Sequence, residues 1–339
     1  MLYLESLNHS MHELMKNNTD VYVIGEDIVD PYGGAFKVTK GLSTEFPERV
    51  LSTPISEAAI TGFATGLALR GYKPILEIMF GDFITLCADQ IINGATKFSW
   101  MYGGNFEVPI VIRTPMGGNR GYGPTHSQTL EHLFFGVPGL FIVAPSLFHN
   151  AGDLLKSSVL KVNQPLLFIE NKILYPMKLK TPTNDNYVDK LHFESVALSD
   201  KLFPTTILKT ENTDTFDVSI ITYGGLAQKA TNAAIIKFIE DETSIQVIIP
   251  SLIKPIPKED IINSIKNSNN IMIVEENPKY SGWGTELSCL IYESLNKTLN
   301  TPIQRIGARE LPIPSSRPLE KLVLPQEDDI QRVLNRMTK

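Results

Sequence analysis

At 339 residues, with 42% apolar and 20% charged side chains, the chain is long enough for two cores and too apolar to be disordered. Its 31 basic and 37 acidic residues leave a net charge of −6, which argues against a dedicated nucleic-acid binder. Cys87 and Cys289 build no disulfide framework, Glu5 interrupts any signal-peptide core, and the longest nearly apolar stretch, Ala58 to Leu69, is too short to span a bilayer, so a cytoplasmic chain off the membrane is expected.

In chain order, Val21–Ile24, Pro74–Met79, Ile110–Ile112, Leu140–Val143 and Leu166–Ile169 are short apolar runs. Turn clusters and stretches of helical spacing, such as Leu147 to Val162, separate them. That alternation predicts a parallel sheet with helices on both faces. Periodicity fades between Asn171 and Phe216, where Thr181–Asn186 and Thr210–Asp214 have loop compositions. A second alternation follows: Val218–Ile221, a helix from Leu226 to Glu240, Gln246–Ile249, Ile271–Val274, a helix from Thr285 to Leu295, a strand near Ile303 and a short helix near Asp328 to Met337. The expected fold class is α/β with two doubly wound domains, residues 1–175 and 216–339, joined by a connecting segment at 176–215.

The chain has no G-x-x-x-x-G-K-[ST] loop, no G-x-G-x-x-G after its first strand, no G-x-S-x-G elbow and no H-E-x-x-H. Such a chain either binds no nucleotide-like cofactor or shares one with a partner. Three stretches are left as candidates for chemistry. Ser52-Thr53-Pro54-Ile55-Ser56-Glu57 precedes a helix from Ala58 to Arg70; Ser56 suits the N-cap. Glu57 either complements the helix dipole or lies at the carboxyl end of a parallel strand, where ligands bind in open sheets. Gly62 and Gly66 lie four apart on that helix and suggest a crowded interface. The run from Arg113 to Gln128 holds Gly117, Gly118, Gly121 and Gly123 before His126, a loop able to approach a ligand with a group suited to proton transfer, or a flexible loop whose histidine caps the next helix. Phe80-Gly81-Asp82-Phe83 follows a strand and serves either the core or a flat ring.

Together these stretches resemble the β subunit of the thiamine-diphosphate-dependent decarboxylating component of 2-oxo acid dehydrogenase complexes, the pyruvate dehydrogenase type above all. The matching text includes Gly25-Glu26-Asp27, Tyr32 to Leu42, Thr53 to Glu57, Asp89 to Asn93, Val108 to Arg113, His126-Ser127-Gln128, Pro138-Gly139-Leu140, Thr222-Tyr223-Gly224, Val274-Glu275-Glu276 and a tail with Pro318-Leu319-Glu320. The order and spacing match nearly end to end.

The resemblance implies a pyrimidine-binding domain followed by a transketolase C-terminal-type domain. It implies that the diphosphate and Mg²⁺ of the cofactor are held by a separate α subunit, in a heterotetramer of two α and two β chains, since Phe83 after Gly81-Asp82 rules out the G-D-G motif here. It assigns Glu57 to the pyrimidine N1′ of thiamine diphosphate, Phe83 to the pyrimidine face, Met79 and Ile55 to the pocket wall, and His126 to the reacting adduct or incoming lipoyl group. It further offers a potassium site on the backbone carbonyls of Ile110, Ser158, Lys161 and Asn163.

The implied activity is decarboxylation of a small 2-oxo acid, pyruvate first, with acyl transfer to a lipoyl domain of an acyltransferase core. The chain departs from the family at Ile249-Pro250-Ser251, where an acid and an arginine are usual, and at Gly136, where a histidine is usual. The first departure keeps a second enzymatic reading open, a free-standing α/β pair passing the two-carbon unit to another acceptor (acetoin or sugar-type carboligation). A non-catalytic assembly subunit is the third.

Overall fold

The computed structural model describes residues 1–181, 187–196, 202–295 and 301–338. Its first sheet is built from mostly apolar strands, as strands covered on both faces tend to be, with Glu77, Arg113 and Glu170 as buried charged exceptions. These are β1 (Val21–Gly25), β2 (Val50–Ser52), β3 (Lys73–Glu77), β4 (Val111–Met116), β5 (Phe141–Val143) and β6 (Leu166–Asn171). They pair in parallel in the order β5-β6-β4-β3-β1-β2. Helices α1 (Tyr3–Asn17), α2 (Leu42–Glu45), α3 (Glu57–Leu69), α4 (Thr96–Met101) and α5 (Ala151–Lys161) accompany them.

The first and last of these long helices cross closely. A Cβ at Gly152 would stand 2.3 Å from the Ser6 carbonyl, and the Gly152 N–H donates to Ser6 Oγ at 2.9 Å. Gly62 and Gly66 behave otherwise: a Cβ at either would meet nothing within 4 Å, and the exposed Phe63 lies between them, so this face of α3 packs on nothing within the chain.

The segment 176–215 is more than a connection. Residues β7 (Tyr187–Val188), β8 (Leu191–Val196) and β9 (Thr205–Lys209) add an antiparallel ribbon to the second sheet. Its short strands interleave apolar and polar residues, and β8 is half-exposed, so they lack the apolar run by which the parallel strands announce themselves. The ribbon extends a parallel core of β10 (Phe216–Thr222), β11 (Ile245–Pro250), β13 (Ser268–Pro278) and β14 (Gln304–Ala308). Helices α6 (Leu226–Asp241), α7 (Lys258–Ile265), α8 (Trp283–Leu295), α9 (Arg317–Val323) and α10 (Glu327–Met337) complete the second unit.

The two sheets are stitched together. Directly after Ile249-Pro250-Ser251, β12 (Leu252–Lys254) leaves the second unit and pairs antiparallel with β5, so the first sheet gains a seventh strand from the far half of the chain. The Trp283 indole donates to the Ile253 carbonyl at 3.2 Å and fixes that strand from behind. One continuous apolar cluster runs from Leu76 and Ile112 through Ile221 and Ile248 to Trp283. No helix among the described residues is long and apolar enough to cross a membrane.

Candidate active site

The carboxyl ends of β2, β3 and β4, neighbours or next neighbours in the first sheet, deliver the three candidate stretches to one edge. After β2 the chain turns at Pro54 and enters α3 with Glu57 as its first residue. Ser56 occupies the N-cap without a side-chain cap bond; its N–H instead donates to Glu26 Oε1 at 3.1 Å. Glu57 is 7% exposed, and its carboxylate has no hydrogen-bond partner among the described residues. Two carboxylates thus share this corner. Burial and then the Glu57 charge push the Glu26 carboxyl above its ordinary value, and burial drives the Cys87 thiol beneath them up to about 11. The Glu57 oxygens still reach the surface, where they are open to a hydrogen-bond donor from a ligand.

After β3 come Met79 and Phe80, both half-buried, then a tight 3₁₀ segment, Gly81–Cys87. After β4 comes the glycine-rich loop. It places the His126 ring against two aromatic faces, with centroids 4.8 Å from Phe80 and 5.3 Å from Phe83, both edge-on. Thr125 Oγ1 lies 3.0 Å from His126 Nδ1. Phe80 is the hub, touching Phe36 at 5.6 Å, Phe83 at 5.8 Å and Tyr122 at 6.1 Å. Glu57, Met79, Phe83 and His126 therefore line one edge of the sheet, while Ile55, 79% exposed, projects from the same turn into solvent.

Sequence reasoning missed what holds that loop. Glu276, at the end of β13, accepts the Gly118 N–H at 2.6 Å with one oxygen and the Asn171 amide at 2.9 Å with the other. Glu320, on α9, accepts the N–H groups of Asn119 at 2.8 Å and Gly121 at 2.9 Å. These contacts span 158 and about 200 residues, and no local pattern could announce them. Both glutamates lie in stretches already matched to the family, Val274-Glu275-Glu276 and Pro318-Leu319-Glu320, which was the one signal on offer.

Beneath the loop, the fully buried Lys172 reaches the Pro115 carbonyl at 3.5 Å and sits 5.6 Å from the Phe80 ring; burial pulls its ammonium down to about 8 against the nearby Asp82 and Glu276 charges. Deeper still, Arg113 grips Glu170 through two nitrogens at 2.7 and 2.8 Å and Glu77 at 2.8 Å. Where the loop meets the second unit, Glu131 accepts from Tyr223 Oη at 2.5 Å and from the Asn277 amide at 3.1 Å, and burial drives its carboxyl up to about 7.

The potassium candidates lie at the other end of the strands. The Leu166 N–H donates to the Ile110 carbonyl at 2.9 Å and the Val108 N–H to the Asn163 carbonyl at 3.2 Å, which joins the two segments. Ser158 and Lys161 belong to the last turn of α5, which ends in an extended cap, Val162, with no N–H returning to its carbonyls. The end of α5 thus leaves its last carbonyls without intrahelical donors, while the Ile110 and Asn163 carbonyls already accept N–H groups.

Comparisons with known proteins give the domains and the family of the chain. Residues 1–178 match the family model of the transketolase pyrimidine-binding domain, and residues 209–330 match that of the transketolase C-terminal domain. The chain is 35% identical over 330 residues to the pyruvate dehydrogenase E1 component subunit beta of Gracilaria tenuistipitata var. liui, covering 96% of each chain. It is 34% identical to the mitochondrial subunit beta-2 of Oryza sativa subsp. japonica, covering 99% of this chain and 86% of that one. It is 33% identical to the subunit beta of Rickettsia conorii, covering 96% and 94%. Among solved structures it superimposes on a split-gene transketolase, an inactive beta4 tetramer, with a TM-score of 0.73 at 20% identity over 99% of this chain and 98% of that one, a likeness of fold.

Proposed function

This chain belongs to the family of pyruvate dehydrogenase E1 β subunits, built from the transketolase pyrimidine-binding and C-terminal domains, and on that premise we propose that it is the β chain of a thiamine-diphosphate-dependent 2-oxo acid dehydrogenase, acting on pyruvate. The observation that carries the reading is the largely covered Glu57 side chain, whose carboxylate has no hydrogen-bond partner among the described residues, at the end of β2, together with the Phe83–His126 ring contact at the ends of β3 and β4. In this reading an α subunit supplies the rest of the site, with Mg²⁺ and the diphosphate, in an assembly of two α and two β chains. Residues 1–175 and 216–339 serve as its pyrimidine-binding and C-terminal domains, and its setting is the cytoplasm.

Thiamine diphosphate, when bound, supplies the carbanion that cleaves the 2-oxo acid. Glu57 holds a proton against the pyrimidine N1′, a carboxylate lent to a weakly basic ring nitrogen in a site shielded from water. Phe83 packs against the pyrimidine face, with Met79 and Ile55 as its wall. His126 would stand at the reacting side, held edge-on by Phe80 and Phe83, and would give a proton to the leaving sulfur as the decarboxylated two-carbon unit attacks the lipoyl disulfide, whose S–S bond breaks and so supplies the oxidation to an acyl thioester. The carbonyls of Ile110, Ser158, Lys161 and Asn163 hold a potassium ion that ties the end of α5 to the start of β4.

The experiment is dye reduction by this chain co-expressed with its α partner, with thiamine diphosphate and Mg²⁺ and with pyruvate and branched-chain 2-oxo acids compared. Turnover is expected with pyruvate, and Glu57→Gln is expected to lower kcat by about 10²–10⁴-fold without loss of the complex. Full activity in that variant would sink the proposal.

A further inference from the structure

On the far side of α9 from the glycine-rich loop lies a cleft of about 290 Å³, between the edge strand β14 and the α9–α10 corner. Its charged lining is Lys279, Arg305, Arg309, Lys321 and Arg332 against one acid, Asp329, a strongly basic site on a chain of net charge −6. Two of the five cations are satisfied: Arg332 pairs with Asp329 at 3.0 Å, and Arg305 with the buried Glu275 at 2.9 Å. Lys279, Arg309 and Lys321 have no ion pair among the described residues. Three like charges around one cleft repel each other, a cost that a multiply charged anion would turn into attraction.

Beneath the cations the floor is apolar, with Ile306, Val323, Leu324 and Val333. No aromatic ring lines it, so a nucleobase would find nothing to stack on. The size fits a small molecule rather than a folded partner. Guanidinium forks and ammonium groups together match the oxygens of phosphate.

The geometry points to a second ligand site here, for a small phosphate ester carrying two or more negative charges, whose occupancy is felt at the loop bearing His126. The coupling has a short path. Lys321 faces this cleft, while its neighbour Glu320 accepts the Asn119 and Gly121 N–H groups on the other side of the same helix. Leu324 lines the cleft and also abuts the loop, since a Cβ at Gly118 would fall 2.3 Å from its Cδ1. The Arg309 N–H bonds to the Val323 carbonyl at 2.9 Å, so β14 and α9 move together.

The test is calorimetric titration of the α/β complex with fructose 1,6-bisphosphate, with inorganic phosphate, with ADP and with an oligo-glutamate peptide. Thiamine diphosphate and Mg²⁺ are kept saturating so that the cofactor's own diphosphate site is filled. The expected result is saturable binding of the sugar bisphosphate, one per β chain, tighter than inorganic phosphate and weakened by salt. ADP should bind no better than its phosphates alone predict. Arg309→Gln with Lys321→Gln should weaken binding by about tenfold or more, while Arg309→Lys keeps most of it.

Hydrogen exchange at residues 117–123 should slow when the bisphosphate binds. No saturable binding, equal affinity in the double variant, or preference for the peptide would overturn the site; binding with loop exchange unchanged would overturn its reach to the loop. Neither readout uses turnover, so the outcome is independent of the activity proposed above.

Discussion

Two buried carboxylate clusters lie within the same molecule, and they solve burial in opposite ways. Under the first sheet, Glu77 and Glu170 share the Arg113 guanidinium, and Tyr175 Oη donates to Glu170 at 2.7 Å. At the seam between the units, Glu131 has no cation. It has a phenol and an amide, and its Oε2 has no partner among the described residues, the pattern of a carboxyl that keeps its proton. The first cluster keeps its charges and needs every member. The second avoids charge and so becomes sensitive to pH. A fixed ionic floor thus lies under the reaction edge, while the seam between the units carries the titrating group.

The largest effect is expected from breaking the first cluster. Arg113→Met should cost about 3–5 kcal/mol, because it strands two buried carboxylates, and should lower the melting temperature accordingly. Replacing Glu77, Arg113 and Glu170 together with apolar residues of similar volume should recover most of that loss. If the single change is silent in a thermal melt, the cluster is not the charged unit described.

The second cluster makes a signed prediction. Burial raises the folded Glu131 from an ordinary 4.5 to about 7. Below pH 4.5 the folded and unfolded chains both hold the proton; between 4.5 and 7 only the folded chain does. Its stabilising contribution is therefore present in acid and is lost as pH rises through about 7, at up to about 1.4 kcal/mol per pH unit. Melting curves of the wild type and Glu131→Gln from pH 4.5 to 8 should diverge, with the wild type losing ground to the variant as pH rises. Parallel curves would place the titration elsewhere.

A smaller effect is expected at Glu320, which accepts two backbone N–H groups from the loop. Glu320→Gln keeps one acceptor and loses the charge, and should cost about 1 kcal/mol. Faster amide exchange at Asn119 and Gly121 would locate that cost, and unchanged exchange there would show the loop to be held by other contacts.

Most of the parallel strands were legible because burial on both faces writes an unbroken apolar run, as in Leu166–Ile169; the short β2, only partly buried, was not. Phe83 and His126 were singled out because their stretches follow such runs, and Glu57 because it opens a helix behind a capping residue. Helix α1 was not recognised, although Tyr3, Leu7, Met11, Leu14 and Met15, all buried on α5 and the sheet, do keep helical spacing among its polar residues. The ribbon β7–β9 was hidden because its short strands interleave polar with apolar residues, and β8 is half-exposed. The loop clamps were hidden for a different reason: a glutamate that serves a backbone amide two hundred residues away reads, in isolation, like any surface acid.

Strand β12 also decides how the chain can be divided. A protease cut in the 176–215 stretch would separate two halves that each look complete in sequence. Yet the N-terminal fragment would lose the strand that covers β5 and bare a row of unpaired amides beside Phe141 and Val143. Such an edge recruits other strands. The separated first half should therefore precipitate or pair with copies of itself, and adding the second half in trans should rescue it only where Leu252–Lys254 can reach that edge again.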